Sequence, residues 1–208
     1  MLRDLLASAV VLVLLPSFLV FVKGASNLQS TVVPLSSVSA PRALVQSPKS
    51  VRSCESLASV SLPSGVVNTA TVDQGSDTLP ASCRVTATVT HEPANDEIKI
   101  FVALPLENWN GRFLGTGGDA FSGGDPIYLR TPLALGYAAG ATNAGHDTWG
   151  ASFILDDRGR LNWHSVRDYA QLGTHEMTTV GKVLTEAFYG KPPRGHTSRA
   201  ARRAGGRP

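Results

Sequence analysis

The end of this 208-residue chain has no acidic residue. From Lys191 to Pro208 it carries Lys191, Arg194, Arg199, Arg202, Arg203 and Arg207, with neither Asp nor Glu. Residues 25–190 hold 11 basic and 15 acidic side chains. The formal charge of +3 therefore belongs to the end and not to the body. A body of net negative charge repels phosphate, which argues against nucleic acid as a partner. Cysteine is nearly absent, with only Cys54 and Cys83. In an exported chain such a pair reads as one disulfide closing a loop of about 30 residues, worth roughly 3–4 kcal/mol; the alternative is two buried free thiols. No serine stands in G-x-S-x-G, so no self-contained nucleophile elbow is present. No internal repeat is present either.

What is there divides into four parts. "MLRDLLASAVVLVLLPSFLVFVKGAS" has Arg3 near its start, an apolar run from Leu5 to Val22, and the small residues Gly24, Ala25 and Ser26. Residues 1–25 thus read as a secretory signal, and the rival reading is a signal anchor. Pro16 breaks a spanning helix and favours cleavage, after which the expectation is a secreted, extracellular chain without membrane association. Residues 26–52 are rich in Ser, Pro and Val and read as a flexible leader. Residues 53–194 carry the periodic patterns. Residues 195–208 read as a disordered Arg/Ala/Gly tail.

Within 53–194, "ESLASVSLP" suits a short helical turn, and "TATVDQG" and "CRVTATVTH" alternate like strands. Pro93, Asn95 and Asp96 mark a turn. "EIKIFVALP" is apolar almost throughout after Lys99, as a strand buried on both faces is. "RFLG" and the small residues from Tyr137 to Thr142 suit two further strands. From Trp163 the period changes to helical. Ser165 with Asp168 resembles a capping box, and Tyr169, Leu172, Met177, Val180, Val183, Leu184, Ala187 and Phe188 form an apolar stripe. Gly190 closes the helix, with Pro192 and Pro193 beyond it. This order predicts an α/β fold whose sheet expects another parallel strand after Gly190.

Candidate chemistry is sparse. "GTGGDA", Gly115 to Ala120, fits G-x-G-x-x-A, but no acidic residue follows at the distance a dinucleotide site needs. The same glycines could present backbone N–H groups to an oxyanion, or form a plain tight turn. "HEMTT" has Thr179 where a zinc helix needs its second histidine, so His175 and Glu176 read as helix residues with local polar contacts. No spacing recommends His146, Asp147, His164 and Asp168 as a metal site. Ser122 comes nearest to a nucleophile and lacks the upstream glycine of an elbow.

Five segments in order, "CESLASVSLP", "LPASCRVTATV", "ALPLENWNGRFLGTGG", "LGYAAGATNAGH" and "RDYAQLGTHEMTTVGKVLTEAFYGKPPR", resemble the tannase and feruloyl esterase family of secreted serine esterases. The resemblance covers Cys54 to Arg194. It implies the N-terminal fragment of an α/β-hydrolase fold, truncated before the strand that carries the nucleophile elbow. It implies Gly117 and Gly118 as oxyanion-hole backbone, and a bridge between Cys54 and Cys83. Asn143 departs from an aspartate common in the family's T-D-A-G-H stretch. The family's C-S-x-G-G-R elbow, its later aspartate and histidine, and its calcium-binding lid are expected to be missing, so no cofactor is expected in this chain. The tail after Arg194 has the composition of GC-rich coding sequence read out of frame. Lacking the elbow strand, "RFLG" is expected to be left as an open, aggregation-prone edge. The implied function is hydrolysis of plant phenolic esters, such as feruloyl or galloyl esters, by a serine acyl-enzyme mechanism, with the chain alone not expected to turn over. The alternatives are a non-catalytic secreted binding module and a basic-tailed surface or nucleic-acid-binding protein using Arg199 to Arg207.

Overall fold

The computed structural model describes residues 48–194 and the backbone of residues 196–199. The expected signal, the leader as far as residue 47, and residues 200–208 lie outside the described residues. Strands β1 (Gly65–Asp73), β2 (Ser82–Val89), β3 (Ile98–Pro105), β4 (Phe113–Thr116), β5 (Ala138–Thr142) and β6 (His196–Arg199) form one sheet in the order β1-β2-β3-β5-β4-β6. From β1 through β3 to β5 neighbours run antiparallel, and β5, β4 and β6 run parallel to one another. The helices are α1 (Arg130–Ala134), α2 (Trp163–Arg167) and α3 (Gly173–Tyr189). A π turn, Asp168–Leu172, joins α2 to α3 with helical backbone at both junctions, so Trp163 to Tyr189 is one continuous helix.

The continuous apolar reading of β3 reflects cover on both sides. Ile98, Ile100, Val102 and Leu104 pack with Met177, Val180, Leu184 and Phe188 of α3. On the opposite face Ala103, Ala139 and Ala141 meet Leu133 of α1 and Leu129 of the preceding 3-10 turn, with Phe101 against them. Small residues set how closely α3 approaches. A Cβ on Gly181 would lie 2.1 Å from the Phe113 ring, and one on Gly115 2.7 Å from the Met177 methyl. Burying these side chains against the sheet is the main stabilising contribution, at about 1.5–3 kcal/mol for each large apolar group.

The strand starts of β4 and β5 are braced by rings and by a crosslink. Trp109 stacks on Tyr189 at 3.9 Å, Trp109 Nε1 donates to the Arg112 carbonyl, and the buried Tyr189 hydroxyl donates to the Pro105 carbonyl. Burial alone raises the Tyr189 pKa. The Cys54–Cys83 disulfide is formed, with Cα atoms 5.4 Å apart, and it ties the 3-10 turn Glu55–Ser59 to the start of β2. α3 ends at Gly190, whose left-handed φ of +69° lets its N–H reach the Glu186 carbonyl.

Five expectations need correction. The tail was expected to be disordered from residue 195, yet residues 196–199 form β6, in parallel register from Phe113↔His196 to Thr116↔Arg199. The fold is therefore not cut off before the strand beside β4, and the edge of β4 expected to be open is paired. Strand pairing uses backbone N–H and C=O groups that every residue here carries, so an unfavourable composition does not prevent it. The helix is capped by Asn162, whose side chain accepts from the Ser165 N–H, and not by a Ser165–Asp168 box; Asp168 is buried elsewhere. The end of the leader is also docked, since the Val51 N–H donates to the Phe188 carbonyl.

Candidate active site

β4, β5 and β6 run parallel, so the three strands end at one end of the sheet, where the segments leaving β4 and β5 emerge. β4 leads into Gly117–Gly124. This loop folds back on itself and onto the exit of β5 with backbone against backbone. A Cβ on Gly118 would lie 2.1 Å from the Gly123 carbonyl oxygen, and one on Gly123 2.0 Å from that of Asn143. Only glycine fits at either place. The Gly124 N–H donates to the Thr142 carbonyl at 2.6 Å, and Asp125 then caps the 3-10 turn Pro126–Leu129. The Gly118 N–H has no acceptor among the described residues.

Side chains pin this loop from two directions. The Tyr128 hydroxyl donates to Asp119 Oδ2 at 2.8 Å, and the Tyr169 hydroxyl to the Ala120 carbonyl. That hydrogen bond raises the Tyr128 pKa. Ala120 (φ 48°) and Ala144 (φ 56°) both hold left-handed backbone that alanine rarely adopts. Strain of this kind concentrates where the surroundings over-determine the chain.

Asn143, buried at the β5 exit, uses its whole amide. Its Oδ1 accepts the Lys99 N–H at 2.8 Å and the Gly145 N–H at 3.0 Å, and its Nδ2 donates to Asp147 Oδ1 at 3.1 Å. Lys99 Nζ meets the other oxygen of Asp147 at 2.7 Å. Lys99 and Asn143 hold the Asp147 carboxyl below the usual carboxylate range. An aspartate at 143 would set two carboxylates face to face.

Deeper at the same end, groups from the β2–β3 turn and from the long helix converge. His91 Nδ1 lies 2.9 Å from Asp96 Oδ2, and His91 Nε2 lies 3.5 Å from Glu176 Oε1. The charge of Asp96 also bears on Asp168. Asp168 and Glu176 are 3% and 7% exposed, so these charges are cut off from water. Burial, with Asp96 beside it, pushes the Asp168 carboxyl up to about 6. Burial opposes protonation of His91, but the carboxylates of Asp96 and Glu176 outweigh it and raise its pKa.

Gly117 and Gly118 open the glycine loop. Ser122 donates its hydroxyl to the Asp119 carbonyl at 2.6 Å and serves a local turn. His146 stacks on Phe153 at 3.9 Å, and burial lowers its pKa. His175 is exposed, with its Nε2 3.9 Å from Glu176 Oε1. His146, Asp147, His164 and Asp168 do not form a metal-holding set, since no group of three or more His, Cys, Asp or Glu among the described residues could hold a metal ion. The His91, Asp96, Asp168 and Glu176 cluster was not anticipated. Its members come from opposite ends of the domain, and the one local signal was a charged turn, "HEPANDE". No helix among the described residues is long and apolar enough to cross a membrane.

Comparison with known proteins bears on this arrangement. The family model described as "Tannase and feruloyl esterase" matches residues 83–207. The match runs past Arg194, where the resemblance was expected to stop. Over those residues the sequence reads Arg202-Arg203-Ala204-Gly205-Gly206-Arg207. It shares G-G-R with the C-S-x-G-G-R pattern, with arginines in the places of the cysteine and serine. A protein of Arthroderma benhamiae described as "Probable feruloyl esterase" is 37% identical over 119 residues, covering 53% of this chain and 21% of that protein. The tannase of Aspergillus oryzae is 34% identical over 138 residues, covering 62% of this chain and 23% of its own length. The chain thus spans under a quarter of these relatives. The crystal structure of feruloyl esterase B from Aspergillus oryzae superposes with a TM-score of 0.61 at 22% identity, over 71% of this chain and 33% of that one. That likeness establishes the α/β fold, of the type found in α/β-hydrolase esterases. With its family match over more than half its length, the chain belongs to the tannase and feruloyl esterase family.

Proposed function

We propose that Gly117–Gly124 is the oxyanion-binding element of a carboxylic ester hydrolase acting on esters of phenolic acids. The observation that carries this reading is the pairing of Thr116 with Arg199. β6 thus ends beside the start of the glycine loop that carries the candidate oxyanion donors. In open α/β sheets, ligands bind beyond the carboxyl ends of parallel strands. The backbone N–H groups of Gly117 and Gly118 would hold the carbonyl oxygen as it becomes anionic, a task for which fixed donors in a closely packed loop are suited. A serine would attack the carbonyl carbon, a histidine would take the serine proton and pass it to the leaving alcohol, and water would release the acid.

Arg203, where the family pattern has its serine, has no hydroxyl to form the acyl bond. The polypeptide by itself is therefore proposed not to turn over, since the covalent step needs the nucleophile. The disulfide and the signal-like residues 1–25 support an extracellular site of action. The tests are direct. Purified chain should not hydrolyse methyl ferulate or methyl gallate above background. A chimera carrying residues 54–199 in place of the matching segment of a full-length family esterase should hydrolyse them, and Gly118→Pro in that chimera should lower kcat by about 100- to 1,000-fold. An active chimera indifferent to Gly118→Pro rejects the loop's role.

Ester binding without turnover is the second reading. It is favoured by large apolar side chains left in water near this end, with Phe121, Trp149 and Trp163 at 51%, 82% and 71% exposure. Saturable binding of methyl ferulate, lost on Trp163→Ala, would support it.

A further inference from the structure

One side chain joins the β2–β3 turn to α3 through both of its polar atoms. His91 Nδ1 lies 2.9 Å from Asp96 Oδ2 on its own turn, and its Nε2 lies 3.5 Å from Oε1 of Glu176 in the first turn of α3. The backbone shapes the same turn. The His91 N–H donates to Asp96 Oδ1 at 2.6 Å, and the Asn95 N–H donates to the His91 carbonyl at 3.0 Å. The ring is half-buried, and both carboxylates are nearly cut off from water. A neutral imidazole has one N–H and one bare lone pair, whereas an ionised carboxylate offers only lone pairs. With a carboxylate oxygen facing each ring nitrogen, a neutral His91 would set lone pair against lone pair at one of them. The imidazolium, with an N–H at each nitrogen, satisfies both. The helix turn it reaches is itself seated on the β5 exit: three residues before Glu176, a Cβ on Gly173 would lie 2.9 Å from the Ala144 Cα.

We propose that His91 is a pH-operated clamp: as an imidazolium it ties Asp96 of the β2–β3 turn to Glu176 of α3, and on losing one proton it lets the turn part from the helix.

Asp96 faces His91 from its own turn and Glu176 faces it from α3. From the π turn, the charge of Asp168 acts on it as well. Glu92 and Glu97, the other charged members of the turn, are exposed. A second imidazole, the exposed His175, lies 3.9 Å from the same Glu176 oxygen. Burial opposes protonation of His91, but Asp96 and then Glu176 outweigh it and hold its pKa above an ordinary 6.5. A raised imidazole stabilises the fold fully below its unfolded value and loses that contribution as pH climbs through its folded value. The clamp is therefore closed in mild acid and opens as pH rises through the folded value.

Long-range nitrogen NMR of the imidazole rings in the intact chain reads this proton directly. His91 should keep both N–H groups to a pH above the ordinary imidazole range, and titration at or below about 6.5 overturns the clamp. Glu176→Gln replaces the carboxylate by an amide that can either accept from the ring or donate to it, so that contact no longer needs the second proton. The variant should shift the His91 titration downward; an unmoved titration overturns the tie to α3. Hydrogen exchange at about pH 5.5 and about pH 8.5, corrected for the intrinsic base-catalysed rate, reads the mechanical consequence. In the natural chain, local opening at the His91 and Asn95 amides should increase about two- to fivefold at the higher pH, the size of a partly screened ion pair. The increase should be smaller in Glu176→Gln. An equal pH response in both chains, or none in the natural one, overturns the clamp. Should Glu176→Gln not fold, the ring titration of the natural chain decides. No activity is read, so the clamp can fail while the esterase reading stands, and the reverse.

Discussion

The two ends of the parallel strands are built on opposite plans. Where β4 and β5 begin, the chain is tied by the Cys54–Cys83 bridge, the Trp109–Tyr189 stack and hydrogen bonds to single carbonyls. Where they end, it is held by glycines packed on backbone, two left-handed alanines, an amide with every polar atom engaged, and carboxylates kept from water. The first plan stabilises. The second costs stability, because buried charge and strained backbone are unfavourable unless the surroundings compensate. The difference sets an anchoring end at the starts against a strained, charge-burying end at the exits, where the oxyanion element is proposed.

Lesions at the two ends should differ in size and in pH dependence. Cys54→Ala with Cys83→Ala should lower the unfolding free energy most, by about 3–4 kcal/mol and equally at both pH values, as measured by urea unfolding. Gly123→Ala at the exit end should cost about 3 kcal/mol, since its Cβ would collide with the Asn143 carbonyl. Unchanged stability would show the loop to be looser than drawn. Asn143→Asp should cost about 2 kcal/mol, more at neutral than at acid pH, where one of the facing carboxyls can protonate. Tyr189→Phe removes one buried hydrogen bond at the anchoring end and should cost about 1 kcal/mol without pH dependence. Asn162→Ala, which removes the helix cap, should cost slightly less, about 0.5–1 kcal/mol. If the start-end variants respond to pH as the exit-end ones do, the contrast between the plans fails.

Much of the anchoring plan was legible in the sequence and little of the exit plan was. β3 announced itself by unbroken apolar residues, β5 by its small ones, and α3 by its stripe and the Gly190 stop, because burial leaves a periodic trace. The disulfide followed from two cysteines. The approach of His91 to Glu176 could not be read, since it joins side chains distant in sequence that obey no spacing rule. Asn162 was overlooked as a cap because Ser165 also fits that role. β6 was misjudged because Arg, Ala and Gly suggest disorder, whereas a strand needs only backbone to pair.

The π turn also sets rotational phase. One residue beyond the ordinary count of a turn rotates all that follows by about 100° about the axis. That offset lets a single rod present Asp168 and Tyr169 toward the strand exits, then Met177, Val180, Leu184 and Phe188 flush to the sheet. Deleting one residue there, such as Gln171, would leave every remaining side chain chemically intact and turn the downstream stripe away from the strands it covers.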